Sequence, residues 1–252
     1  MTAFIDMGFA ADLLSGKRIL ITGAGRGIGR ACALTCSRLG ASVIAVARSG
    51  DDLASLRDKS RGAIETWVND VMAAAFLEQV RSLDRLDGLL NNAGTNRVGK
   101  MIDRSDEDIN AVIALNIASV YRVAQAAISV MIHSGGGSIV NMSSQMGHVG
   151  SPGRTLYCMS KHAVEGLTKA MAVELAEDGI RVNSVAPTFV KTPLTQPMLA
   201  EPGFSEFVMG MIPMKKLATQ EEVAHACVYL LSHLSAGTTG TSLRVDGGWT
   251  AQ

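Results

Sequence analysis

A single doubly wound α/β domain, a seven-stranded parallel sheet with helices on both faces, is the fold class this sequence predicts, on three observations. Seven short, apolar, β-rich runs alternate with longer segments of 3.6-residue periodicity. The first run leads directly into a glycine-rich turn and then a helical pattern. No linker, repeat or low-complexity tract divides the 252 residues, a length that one buried core accommodates, so residues 1–252 read as one domain.

The elements follow in order. Arg18–Thr22 (RILIT) and Ser42–Ala47 (SVIAVA) are continuous apolar runs, as strands buried on both faces of a parallel sheet should be. Gly40, between them, sits where a helix must stop and turn into the next strand. Asp51 and Asp52 favour the start of the following helix, because carboxylates stabilise a helix N-terminus. Ile64–Val68 and Leu89–Asn91 are the third and fourth strands. Ser105, followed by three acidic residues, begins a helix that reaches towards His133. Ser138–Met142 precedes the next long helix, which Gly179 ends, and Arg181–Val185 follows. The least regular stretch is Thr188–Met214, with prolines at 193, 197, 202 and 213 and methionines at 198, 209, 211 and 214; it reads as a functional or mobile loop. Thr219-Gln220-Glu221-Glu222 is a capping box ahead of Val223–Leu231, and Ser242–Val245 is the last strand.

Composition excludes several function classes. Lysine plus arginine and aspartate plus glutamate balance at 23 each, which leaves no basic footprint for nucleic acid or an anionic membrane. Asp6 and Asp12 interrupt the N-terminal apolar residues without a basic segment before them, so a secretory leader is not expected. No uninterrupted apolar run reaches the roughly 18–20 residues of a membrane span, and a cytoplasmic location is expected. Cys32, Cys36, Cys158 and Cys227 form no CxxC pair and read as small buried hydrophobes; with histidines scattered at 133, 148, 162, 225 and 233, no metal site is expected.

The chemistry-bearing motifs begin at Thr22-Gly23-Ala24-Gly25-Arg26-Gly27-Ile28-Gly29. Glycines there let the backbone turn tightly and approach a pyrophosphate, whose charge meets the N–H groups of a helix N-terminus. The spacing is TGxxxGxG. Asn91-Asn92-Ala93-Gly94 follows the fourth strand, Ser143-Ser144 the fifth, and Tyr157-x-x-x-Lys161 opens the next helix. In this order and at these distances the chain resembles the short-chain dehydrogenase/reductase family over essentially its whole length. The resemblance implies a Rossmann fold, a nicotinamide dinucleotide cofactor and hydride transfer on a carbonyl or secondary alcohol.

An acidic residue at the end of the second strand would select NAD by accepting hydrogen bonds from the ribose hydroxyls. This chain has Ala47 there, followed by Arg48, with Arg26 inside the glycine loop; two guanidiniums suit a 2′-phosphate, so NADP(H) is favoured over NAD(H). By resemblance, Asp70 and Val71 would hold the adenine, Asn92, Ala93 and Gly94 the ribose side, and Val190 and Thr192 the nicotinamide carboxamide, beside Pro187. The family often has Pro-Gly after the sixth strand. Here Pro187-Thr188 adds a side chain near the nicotinamide.

Tyr157 and Lys161, spaced i,i+4, share one helix face. A free tyrosine titrates at about 10, too high for efficient acid/base work near neutrality. An ammonium roughly 5 Å away favours phenolate by about 3 kcal/mol at an effective dielectric of ~20, which predicts a pKa lower by roughly two units. By resemblance, Ser144 rather than Ser143 orients the substrate oxygen, and Asn116 takes part in a proton relay to Lys161. An asparagine inside a helix also invites a local explanation.

Gln145–Gly153, the neighbourhood of Asn96 and the stretch Thr188–Met214 should surround the substrate, with Gln145 and His148 as candidates for hydroxyl groups. Ser143-Ser144-Gln145 with Tyr157-Cys158 looks like reductases of keto-sugars, polyols and dicarbonyls. A 3-oxoacyl-acyl-carrier-protein reductase is the second reading, disfavoured by Gly135 and Asp178 where carrier-docking members place basic residues. A catalytically silent NADP(H)-sensing regulator is the alternative from another class, and such proteins typically lose the tyrosine or lysine. The family is commonly tetrameric, so a homotetramer, or a dimer, is expected.

Overall fold

The computed structural model describes residues 8–193 and 195–252. Asp6, and with it part of the leader reading, lies outside the described residues. Strands β1 (Arg18–Thr22), β2 (Ser42–Ala47), β3 (Ile64–Val68), β4 (Gly88–Asn91), β5 (Gly137–Met142), β6 (Ile180–Pro187) and β7 (Ser242–Val245) form one sheet in the order β3-β2-β1-β4-β5-β6-β7. All six pairings are parallel. The seven strands stand where the apolar runs predict them, with β4, β5 and β6 starting one residue earlier and β6 extending to Pro187. The order reverses between β1 and β4, which opens the crevice beyond their carboxyl ends where ligands bind in such sheets.

The continuous apolar runs are explained by burial on both faces. Ile19 and Ile21 of β1 join one core cluster, and Leu20, between them, joins the other. The first cluster seats helices α1 (Gly27–Arg38) and α9 (Gln220–Leu231), with Cys32, Cys36 and Cys227 fully buried in it as free thiols. The second is covered by α3 (Ala74–Arg81), α5 (Ser119–His133) and α6 (Thr155–Glu174), while α2 (Gly50–Lys59) closes the first beside β2. A buried chain of amides links the strand ends: Asn91 Nδ2 donates to Asn141 Oδ1 at 3.1 Å, and Asn141 Nδ2 to Thr168 Oγ1 at 3.0 Å.

Both capping expectations hold. Ser105 accepts from the Asp108 N–H at the start of α4 (Asp106–Ile113), and Thr219 and Glu222 close the reciprocal capping box of α9. The helix from Ser105 to His133 is not uniform: Ala114–Ala118 is a π-helical turn between α4 and α5. By length and composition this stretch could cross a membrane, with a mean hydropathy of 1.5, but its inner face packs into the second core cluster as a core helix does. The expected irregular loop is the main departure. Within 188–214 the chain forms α7 (Gln196–Leu199) and α8 (Pro202–Met211), each with proline in its first turn, where a missing N–H costs nothing. Their apolar faces, with Phe189, Met146 and Trp249, build a third small cluster over the carboxyl end of the sheet.

Candidate active site

β1 delivers Thr22 to the crevice, where its Oγ1 accepts from the N–H groups of Asn92 (3.0 Å) and Ala93 (3.1 Å). Asn92 Nδ2 donates back to the carbonyls of Thr22 and Gly23, so the turn after β4 clamps the turn after β1. The clamp leaves no room for side chains: a Cβ at Gly29 would lie 2.4 Å from both Asn92 Nδ2 and the Gly23 oxygen. Gly23 itself has φ +65°. Arg26 precedes α1 and supplies no side-chain cap, so the first N–H groups of α1 point into the crevice as an anion cradle. These residues fit a dinucleotide pyrophosphate.

On one side of the cradle lies a cavity of about 410 Å³ that borders Gly25, Arg26, Ala47, Arg48, Asp70, Val71, Ala93 and Gly94. Arg26, Arg48, Asp70, Val71, Ala93 and Gly94 are thus brought together here, while Asn92 borders the cavity on the other side. Arg48 is exposed and has no ion-pair partner among the described residues, whereas Arg26 Nε donates to Asp52 Oδ2 at 2.6 Å. Burial pushes Asp52 up, but hydrogen bonds and the charges of Arg26 and Arg30 outweigh it and hold the carboxyl below its usual range. The helix-start reading of Asp52 is correct but incomplete, since only the fold brings its carboxylate across to the glycine loop.

On the other side a cavity of about 490 Å³ borders Gly27, Ile28, Asn92, Ser144, Tyr157, Lys161, Pro187, Val190 and Thr192. Lys161 is 6% exposed, its Nζ donates to the Met142 carbonyl at 2.7 Å, and it stands 5.5 Å from the centre of the Tyr157 ring. Burial pulls the Lys161 ammonium down to about 8, against the opposing pull of Glu165. Tyr157 departs from expectation. Burial pushes the phenol up, outweighing the hydrogen bond with Ser144 and the charge of Arg154 that pull it down. The predicted drop assumed a fully charged lysine and no desolvation; here the desolvation that weakens the ammonium also penalises phenolate.

Ser144 Oγ accepts from the Met146 N–H at 3.2 Å and faces the Pro187 carbonyl at 3.5 Å, at the head of a 3₁₀ turn over 145–147. Ser143 Oγ is buried without a partner. Asn116 sits in the π-helical turn, and this explains the interior asparagine. Its Nδ2 donates to the Thr95 carbonyl at 2.8 Å and to Ser160 Oγ at 3.0 Å, while its Oδ1 accepts from the Thr95 N–H at 2.8 Å. Asn116 Oδ1 and Lys161 Nζ lie 3.3 and 3.9 Å from the position a Cβ would take at Gly94, so both face one small space that the glycine keeps open.

The substrate candidates Gln145 and His148 are corrected by their placement. Gln145 is 1% exposed with Oε1 unpaired, and His148 Nε2 points to Ser242 Oγ (2.9 Å) and Glu165 Oε1 (3.3 Å). Neither borders the cavity: Gln145 is buried within the 3₁₀ turn, and His148, just after it, is turned to Ser242 of β7 and Glu165 of α6. Thr188 does border it, with a buried Oγ1 that has no partner. Arg154, one turn before Tyr157, carried no motif signal and is buried.

The family model for enoyl-(acyl carrier protein) reductases matches residues 23–250. The chain is 39% identical to the 3-oxoacyl-acyl-carrier-protein reductase of Thermotoga maritima, over 93% of this chain and 98% of that one. It is 38% identical to the L-xylulose reductase of Mesocricetus auratus, over 94% and 97%. The chain belongs to the short-chain dehydrogenase/reductase family. Among solved structures of this family it is similar to a gluconate 5-dehydrogenase from Burkholderia cenocepacia in complex with NADP and tartrate. That match has 32% identity and a TM-score of 0.90, covering 97% of this chain and all of that one. As a short-chain dehydrogenase/reductase the protein is an oxidoreductase with the Rossmann-like sheet of its relatives.

Proposed function

We propose that this protein is an NADP(H)-dependent oxidoreductase that interconverts a carbonyl and a secondary alcohol, with Ser144, Tyr157, Lys161 and Asn116 as its working side chains. The observation that carries the reading is the convergence of Tyr157, Lys161 and Ser144 on the cavity that adjoins the glycine cradle. A dinucleotide held by the Gly23–Gly29 turn, Asn92 and Thr192 would supply or accept the hydride. Ser144 holds the substrate oxygen, and Tyr157 gives its proton to the developing alkoxide or takes one from the alcohol. Lys161 and Asn116, which border the same small space at Gly94, return the proton to Tyr157. Arg48, exposed and unpaired beside the adenosine cavity, favours the 2′-phosphate of NADP(H), with Arg26 as its second cation once it exchanges Asp52 for phosphate. We infer a homotetramer, or a dimer, as its working assembly.

The relatives named above act on 3-oxoacyl thioesters, L-xylulose and gluconate by their names, so the comparisons leave the substrate class open. A screen of keto-sugars, diketones and a 3-oxoacyl thioester, with NADPH and NADH side by side, tests the reading. Tyr157→Phe is expected to lower kcat/KM by at least ~10³-fold while the cofactor still binds. Unchanged turnover in that variant would falsify the mechanism, and equal use of NADH would remove the assignment of Arg48.

A further inference from the structure

The side chain least at rest in this structure is Arg154. It immediately precedes α6, is 3% exposed, and has no carboxylate partner among the described residues. Its guanidinium lies over two aromatic rings, 5.9 Å from the centre of Phe189 and 5.8 Å from that of Phe204. Nη2 donates to the thioether sulfur of Met198 at 3.1 Å, and Nη1 has no acceptor among the described residues. A thioether is a weak acceptor and a buried cation without a counter-ion is costly, so the arrangement is unusual for a finished core. The groups that contact the guanidinium are themselves informative. Met198 and Phe204 belong to α7 and α8, the short helices that cover the carboxyl end of the sheet. Tyr157 packs on the same apolar cluster, three residues further along α6, and the charge of Arg154 reaches its phenol.

We propose that Arg154 is a specificity residue that binds the carboxylate of a keto acid or hydroxy acid whose reacting carbon lies at Tyr157, an inference that rests on the carbonyl–alcohol reading above. A carboxylate replaces the Met198 sulfur on Nη2 and gives Nη1 its acceptor, in the forked geometry that arginine offers. Its single negative charge matches the single guanidinium. A phosphate dianion would leave one charge unpaired against Phe189 and Phe204, which disfavours phosphorylated substrates. Arg154 borders neither cavity in this structure, so the carboxylate reaches it only where Met198 of α7 gives way.

The test is kinetic, with NADPH and three ketones of one carbon skeleton: the neutral ketose, its keto-aldonate and its phosphate ester. Wild-type protein is expected to prefer the keto-aldonate over the neutral ketose by at least ~30-fold in kcat/KM, the scale of one desolvated charge pair. Arg154→Met is expected to remove that preference, read as the acid-to-neutral ratio of kcat/KM within each variant, and Arg154→Lys to restore part of it. NADPH fluorescence on each variant reports folding. Should Arg154→Met not fold, the acid-to-neutral ratio of Arg154→Lys decides on its own. Equal losses on acid and neutral substrates would show that Arg154 only fastens α7 and α8, and overturn the proposal. So would a wild-type preference for the phosphate ester or for neutral ketones. A wild-type protein that reduces a neutral diketone but no acid defeats this proposal alone; one that reduces no carbonyl defeats the reading beneath it as well.

Discussion

At the scale of single residues, burial disfavours the charged form of both members of the acid/base pair, the Tyr157 phenolate and the Lys161 ammonium. Lys161 is the clearest case, drawn from 10.5 down to about 8 by burial. The sign follows from proton counting. Between about pH 8 and 10.5 the unfolded chain holds the lysine proton and the folded chain does not, so this group makes the protein more stable as pH rises through that window. Below pH 8 the folded state carries the full penalty of a buried ammonium. Lys161→Met is therefore expected to gain up to about 3 kcal/mol of stability at pH 7 while losing activity. The difference from wild type should shrink to near zero as the pH approaches 10.5. Urea denaturation of both proteins at pH 7 and pH 10 checks this, and a variant less stable at pH 7 would mean that the bond to the Met142 carbonyl outweighs the desolvation.

At the scale of elements, local signals decided where reasoning from residues alone succeeded. Strand positions were legible because both-face burial writes continuous apolar runs, and the caps at Ser105 and Thr219 because a few adjacent side chains define them. α7 and α8 were not legible: four prolines in 188–214 suggest a loop unless Pro197 and Pro202 are recognised as first-turn residues. The sites divide the same way. Ser144, Tyr157, Lys161 and the glycines are carried by spacing along the chain, and the structure brings them together. Gln145 is buried away from the cavity, His148 turns to Ser242, Asp52 reaches Arg26, and Arg154 meets Met198, because each depends on how the fold places a side chain in space. A cap whose own side chain borders neither cavity separates stability from function. Thr219→Ala removes one half of the α9 capping box and is expected to cost about 1 kcal/mol, roughly 2–4 °C in Tm for a domain of this size. Calorimetry should show that loss, with kcat/KM unchanged within twofold.

At the scale of the whole molecule, the two faces of the sheet differ in what they leave uncovered. Helices α5 and α6 lie on the second core cluster, α4 runs into α5 through the π-helical turn, and the three carry Ile113 (39% exposed), Tyr121 (55%), Ile132 (45%), Met159 (45%) and Val173 (82%) on their surfaces. Single apolar side chains on a surface are ordinary, but these five fall on consecutive helices, where a partner chain would bury them together. The π-helical turn that seats Asn116 lies within this same layer, so an interface here would brace the element that carries part of the proton relay. A homotetramer built on this face is expected to appear in light scattering as four 26.5 kDa chains. Tyr121→Glu combined with Val173→Glu places charge at the face without touching either cavity, and should shift the mass towards dimers or monomers. If the smaller species keeps full kcat/KM, the tetramer is dispensable for chemistry. A monomeric wild-type protein would reject the assembly outright.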